Sequence, residues 1–221
     1  MSIITRPFTV VRRRPNILDL LIPKQTGVKG YRLQAAPNFD DTFITILTAD
    51  ISSGYLDSNV NAASLQALNN PNQIRVVFDP QTFFTPTGIQ DTKNFWMKFV
   101  PVDFSGTPGT ASSPCLILPE SALRGDSRVV IGGTAPAGTT VADSLELLLP
   151  FRTQDLTIHN HEPITDLFIA LAEGGSEVLL DAGSSTLSQM QFADGAIGSF
   201  LVRGDGNTAT FSASFTSYLP L

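Results

Sequence analysis

Apolar and polar residues alternate along this chain in short runs, and turn residues end each run before a helix of normal length could form. Residues 31–36, YRLQAA, alternate and stop at Pro37-Asn38. Residues 43–48, FITILT, are rich in β-branched side chains and run toward Ser52-Ser53-Gly54. Residues 74–78 stop at Asp79-Pro80, residues 95–100 form a dense aromatic run, and residues 115–118 end at Pro119. Runs of this composition bounded by Gly, Pro, Asn and Ser predict strands. One helix is predicted in this half, over residues 62–68, with Asn61 as its cap and Asn69-Asn70-Pro71 as its stop.

The second half predicts eight further short strands, near residues 129–131, 144–149, 156–159, 167–171, 177–180, 189–192, 199–203 and 208–216. Turns are expected at Gly132-Gly133, Gly174-Gly175, Ala182-Gly183 and Gly204-Asp205-Gly206. The last strand alternates strictly. Thr208, Thr210, Ser212, Ser214 and Thr216 fall on one face, and Ala209, Phe211, Ala213 and Phe215 on the other. The apolar set should face a core.

The reading is an all-β fold with two β-sandwich-like domains. The first, residues 30–120, is fibronectin- or immunoglobulin-like; the second, residues 128–221, is jelly-roll-like. A polar linker over residues 120–128 separates them. Trp96 has no cysteine pair to pack on, so the disulfide core of a true immunoglobulin domain is missing.

Residues 1–29 read as an extended arm. Pro7, Pro15 and Pro23 forbid a long helix. Residues 1–32 hold seven basic groups against Asp19 alone, a net of +6, while the other 189 residues carry 7 basic and 19 acidic groups, a net of −12. A basic arm thus precedes an acidic body. The expected role is docking on a neighbouring subunit, with Arg12, Arg13 and Arg14 pairing with carboxylates and Ile17, Leu18, Leu20, Leu21 and Ile22 as an apolar anchor. The rival expectation is that the arm folds back on its own acidic body.

Composition narrows the classes further. Charged residues are 15% of the chain, well below the usual quarter, so much of the surface is uncharged or covered by partners. The net charge of −6 argues against general nucleic-acid binding. No apolar run approaches a membrane span, and no secretory h-region precedes Arg12-Arg13-Arg14. The expectation is a soluble protein made in the cytoplasm. Cys115 is the one cysteine, and its apolar neighbours predict a buried, inert thiol.

Candidate chemistry is sparse. His159 and His161 would share a face of a strand, but Glu162 points away, so they read as turn residues at a strand end rather than metal ligands. No nucleophile elbow, P-loop or dinucleotide fingerprint occurs. No catalytic, cofactor-binding or metal site is therefore assigned, and no cofactor is expected. Arg-Gly-Asp occurs at 124–126 and 203–205, where tight turns are the expected role.

One stretch resembles a known group. Residues 156–160, LTIHN, then 165–170, TDLFIA, then 174–178, GGSEV, resemble a run found in structural proteins of tailed-bacteriophage virions. An arm followed by small β-domains is similar to capsid cement, or decoration, proteins. The resemblance implies a virion protein that is assembled in the host cytoplasm, sits on the outer capsid surface and clamps neighbouring major capsid subunits. It also implies a homo-oligomer, with a trimer favoured. Tail or neck components (adaptor, fibre, baseplate) are the alternative. A carbohydrate- or receptor-binding module would need exposed aromatics such as Trp96, Tyr31, Tyr55 or Tyr218.

Overall fold

The structure is a computed structural model that describes residues 9–14, 17–23, 25–50, 55–58, 64–67, 73–78, 94–118, 128–153, 155–171, 176–183, 186–187 and 197–216. The chain divides into two compact units, residues 1–37 with 41–120, and residues 38–40 with 121–221. Both are built from strands, and the fold is all-β.

Strands of the first unit are β1 (Thr9–Arg14), β2 (Ile17–Pro23), β3 (Val28–Ala36), β4 (Ile44–Asp50), β5 (Tyr55–Ser58), β6 (Ser64–Ala67), β7 (Gln73–Phe78), β8 (Phe95–Asp103) and β9 (Cys115–Ile117). They form two antiparallel sheets, ordered β1-β2-β7-β6 and β9-β8-β3-β4-β5. Lettered in chain order, these are the A-B-E-D and G-F-C-C′-C″ sheets of a variable-type immunoglobulin domain. Tyr31 on β3 is fully buried and meets Phe99 on β8 edge-on, with ring centroids 5.6 Å apart. Such an aromatic pair holds adjacent strands together without a disulfide. Trp96 is also buried, at 2% exposure.

Two expectations are corrected here. Residues 64–67 form strand β6, paired with β7 from Ser64↔Val77 to Ala67↔Ile74, not a helix. Helix propensity is a weak prior, and cross-strand pairing overrides it. Residues 9–14 and 17–23 form an antiparallel hairpin whose second strand pairs with β7, so they are strands of a sheet rather than an arm standing apart. Proline spacing marked extended chain correctly but said nothing about its partner.

Strands of the second unit are β10 (Arg128–Ala135), β11 (Ala137–Gly138), β12 (Leu145–Thr153), β13 (Leu156–Asn160), β14 (Leu167–Ala170), β15 (Val178–Leu180), β16 (Thr186–Leu187), β17 (Ile197–Asp205) and β18 (Ala209–Thr216), with a 3-10 turn at Val141–Asp143. The sheet orders are β10-β18-β13-β16 and β12-β17-β14-β15, and the short β11 lies parallel beside β17. With β11 set aside, strands one, eight, three and six make one sheet and two, seven, four and five the other. That is the double Greek key of a jelly roll.

Alternation selects the core of this unit. Val129, Ile131, Leu156, Ile158, Ala209, Phe211, Ala213 and Phe215 are buried, whereas Val130, Thr134 and Thr210 between them are exposed. Leu147, Leu167, Ile169, Phe200 and Val202 from the second sheet have no exposed surface. Full burial of each such side chain stabilises by about 1.5–3 kcal/mol. Gly132-Gly133, expected as a turn, lies inside β10. A Cβ on Gly133 would stand 2.5 Å from a ring carbon of Phe39, so glycine serves close approach here and not reversal. Phe39 in turn lies 5.7 Å from the Phe211 ring, and the Asp40 carboxylate accepts the Thr134 N–H at 2.8 Å.

Candidate functional site

The β1–β2 hairpin carries the residues that charge and hydropathy single out. Its register runs from Thr9↔Leu21 to Arg14↔Ile17, with an irregularity between Arg12 and Arg14. Such an irregularity bends an edge and increases its twist. β1 is the outermost strand of its sheet among the described residues, which puts Arg12, Arg13 and Arg14 at an edge. Ile17, Leu18, Leu20, Leu21 and Ile22 all lie in β2. The register sets Val10 and Val76 opposite Leu20, and Leu65 opposite Val76.

At one end of the first unit, the β8–β9 loop is locked around Asp103. Its carboxylate accepts the Ser105 N–H at 2.9 Å, the Ser105 hydroxyl at 2.6 Å and the Thr107 N–H at 2.8 Å. The hydroxyl bond of Ser105, with the Thr107 amide next, holds the Asp103 carboxyl below the usual carboxylate range. Gly106, with φ of +87°, lets the chain reverse. Gly109 donates to the Pro101 carbonyl at 2.8 Å and Ser112 to the Phe99 carbonyl at 2.9 Å. The pinned loop leaves Phe104 exposed, at 68% of its surface. Val28 pairs with Asp103, so the turn at residues 25–27 lies at the same end. Phe104 was missed from sequence. Its signal was a lone aromatic inside an Asp-x-Ser-Gly-Thr turn, where core-seeking logic finds no strand.

In the second unit, Arg203 is 3% exposed. Its Nε and Nη2 donate to the two carboxylate oxygens of Glu177 at 2.8 and 2.7 Å, and Nη1 donates to the Gly138 carbonyl at 3.0 Å. The guanidinium lies 4.0 Å over the Phe168 ring. The Glu177 bond is the main cause that raises the Arg203 pKa above its ordinary value. Arg203 is therefore a core residue, and the Arg-Gly-Asp at 203–205 is not presented for recognition. Gly204 is needed for close approach, since a Cβ there would lie 2.2 Å from the Asn207 carbonyl oxygen. The copy at 124–126 lies outside the described residues, as do residues 120–127, 189–192 and 218–221.

His159 and His161 flank the buried Asn160. Asn160 Nδ2 donates to the Thr165, Leu180 and Asp181 carbonyls at 2.9, 3.1 and 3.2 Å, and Oδ1 accepts the Glu162 N–H at 3.0 Å. That clasp fixes the end of β13. The two imidazoles lie parallel, 8° between planes, with centroids 6.0 Å apart. His161 Nε2 and the Ser212 hydroxyl share a hydrogen bond of 2.7 Å. Among the described residues no three of His, Cys, Asp and Glu gather as a metal-ligand set. Cys115 is buried, and desolvation pushes its thiol up to about 12. Trp96 and Tyr31 belong to the core and offer no ring to a sugar. The side chains of Tyr55 and Tyr218 lie outside the described set.

No protein-family model matches the chain, and no curated protein matches it.

Proposed function

We propose that this chain is a non-catalytic structural protein that binds the outer surface of a tailed-phage head and clamps neighbouring shell subunits. The observation that carries the reading is β1, the outermost strand of its sheet among the described residues, ending in Arg12-Arg13-Arg14 on a chain whose residues 33–221 carry a net acidic charge. An edge strand offers backbone groups for pairing, and three consecutive arginines in its sequence favour a carboxylate-bearing partner. Phe104 adds a second contact, an exposed aromatic on a loop already ordered before binding. Weak contacts of this kind add through effective concentration when many copies sit on one lattice. Jelly rolls recur in viral capsids, which supports the reading by analogy of fold alone.

The test is copy number. Particles from the native source are digested, and this protein is counted against the major shell subunit by quantitative mass spectrometry. Hundreds of copies in a simple ratio to the shell are expected. A handful would move the protein to the neck or tail, and absence from particles would overturn the reading. Arg12→Glu/Arg13→Glu/Arg14→Glu should then reduce attachment to stripped particles, with the β-sheet circular dichroism unchanged.

A further inference from the structure

We propose that β10 is a self-pairing edge, through which two copies of this chain join antiparallel about a two-fold axis at Val130 into one continuous sheet. The inference does not rest on the virion reading.

Among the described residues β10 ends its sheet, and its eight residues stand in one-to-one register with β18, without a bulge. Edges are ordinarily blunted by charge, proline, a bulge or brevity. β1 has a register irregularity and three arginines, and β15 and β16 have three and two residues. After Arg128, β10 has none of these devices, and Val130 at its middle is 60% exposed.

One hydrogen bond fixes which way the main chain points. The Thr134 N–H donates to the Asp40 carboxylate at 2.8 Å, so it faces away from β18. Direction alternates along an antiparallel strand, so Arg128, Val130 and Gly132 also turn their amides and carbonyls outward. Asp40 occupies the edge at Thr134, which leaves the stretch from Arg128 to Gly132 for an incoming strand and centres the pairing on Val130.

The side chains suit a second copy in that register. Val130 meets the partner's Val130, and Arg128 lies opposite the partner's Gly132, so the two arginines never face each other. The next outward residue of the partner is Thr134, whose amide Asp40 holds. Diagonal neighbours across such a pair are about 7–8 Å apart, within reach of a long side chain. Arg128 and Asp40 are both exposed, and in the single chain Arg128 gives Nη2 to the Ser214 hydroxyl at 2.6 Å. Pairing lets it reach a carboxylate instead, a stronger bond, once on each side of the axis.

Sedimentation velocity of the intact chain over a wide range of concentration should show a concentration-dependent dimer. Val130→Lys sets two cations opposite each other, and Arg128→Asp sets carboxylate against carboxylate; each should leave a monomer with an unchanged urea midpoint. Val130→Cys tests the register. Its two thiols would have Cα atoms about 5.5 Å apart, inside the range a disulfide spans, so oxidation should cross-link the chain to itself. Thr134→Cys should stay uncross-linked, and the buried Cys115 adds no background. A monomeric or trimeric wild-type chain, an undiminished dimer in either charge variant, or equal cross-linking of Thr134→Cys would overturn the proposal.

Discussion

Glu177 meets Arg203 through two parallel hydrogen bonds of 2.8 and 2.7 Å, with the Phe168 ring closing one face of the guanidinium. Removal of Glu177 leaves a nearly buried cation to the more distant Asp205 carboxylate, 3.8 Å from Nη1. Breaking such a pair is costly, though Glu177 retains 21% of its side-chain exposure and solvent softens the loss. Glu177→Ala should destabilise the second unit by about 2–4 kcal/mol, read as a lower urea midpoint. A change within about 0.5 kcal/mol, the range of ordinary surface substitutions, would show the pair to be energetically neutral.

Cys115 should resist alkylation. Its thiol is buried and shifted up to about 12, so the thiolate that reacts is scarce in the folded chain. Iodoacetamide at mildly alkaline pH should label it only after denaturant is added. The same shift has a thermodynamic sign. The unfolded thiol ionises from about pH 9, its ordinary value, while the folded one does not, so stability from this group is complete below that pH and falls as pH rises toward 12. Rapid labelling of the native protein would contradict the burial.

Truncation discriminates an arm from a pair of strands. Deleting residues 1–29 removes β1, β2 and the first residues of β3. β7 then loses its partner from Leu18↔Phe78 to Pro23↔Gln73. The truncated chain should show loss of the first unit's cooperative unfolding, with amide exchange still slow in β13 and β18. Two intact transitions would mean that the hairpin contributes little.

Gly204→Ala places a methyl against a main-chain oxygen that cannot move aside as a side chain would. The expected cost is about 1–3 kcal/mol, the range of overpacked sites. Thermal unfolding measures it, with Gly198→Ala as the control, because no atom lies within 4 Å of a Cβ there.

Acid should loosen the Phe104 loop. The Asp103 carboxyl is held below its ordinary value, chiefly by the Ser105 hydroxyl. Its stabilising effect is present above the ordinary value near 3.8 and is lost as pH falls through the lowered one. Side-chain carboxyl chemical shifts from pH 6 to 2 should show Asp103 titrating below its ordinary value near 3.8, and Ser105→Ala should bring it back toward that value.

Much of the fold was legible because alternation survives wherever one strand face is buried. β18 shows this best: Ala209, Phe211, Ala213 and Phe215 were expected inside, and each is at most 1% exposed. Strand pairing was not legible. Nothing local in Ile17–Pro23 says that its partner is Gln73–Phe78, because pairing rests on packing across the sheet. Ser64–Ala67 reads locally as helix for the same reason. That Arg203 is a buried ion-pair partner was not legible because its carboxylate partner lies 26 positions away. The proximity of His159 and His161 followed from strand period two, but the Asn160 clasp and the Ser212 contact needed the third dimension.

The first strand of the jelly roll pairs with the last. Arg128 lies opposite Thr216 and Ala135 opposite Ala209, so among the described residues β10 takes its ladder hydrogen bonds from β18. During synthesis, β10 leaves the ribosome long before that partner exists. β13 waits as well, since β18 lies between them. The growing chain therefore carries two open strand edges until nearly all of the unit has been translated, and closure depends on contacts distant in sequence, which form slowly. Nascent copies crowded on one message would be exposed to pairing with one another throughout that interval, so faster elongation should raise the yield of the native fold more than added stability would.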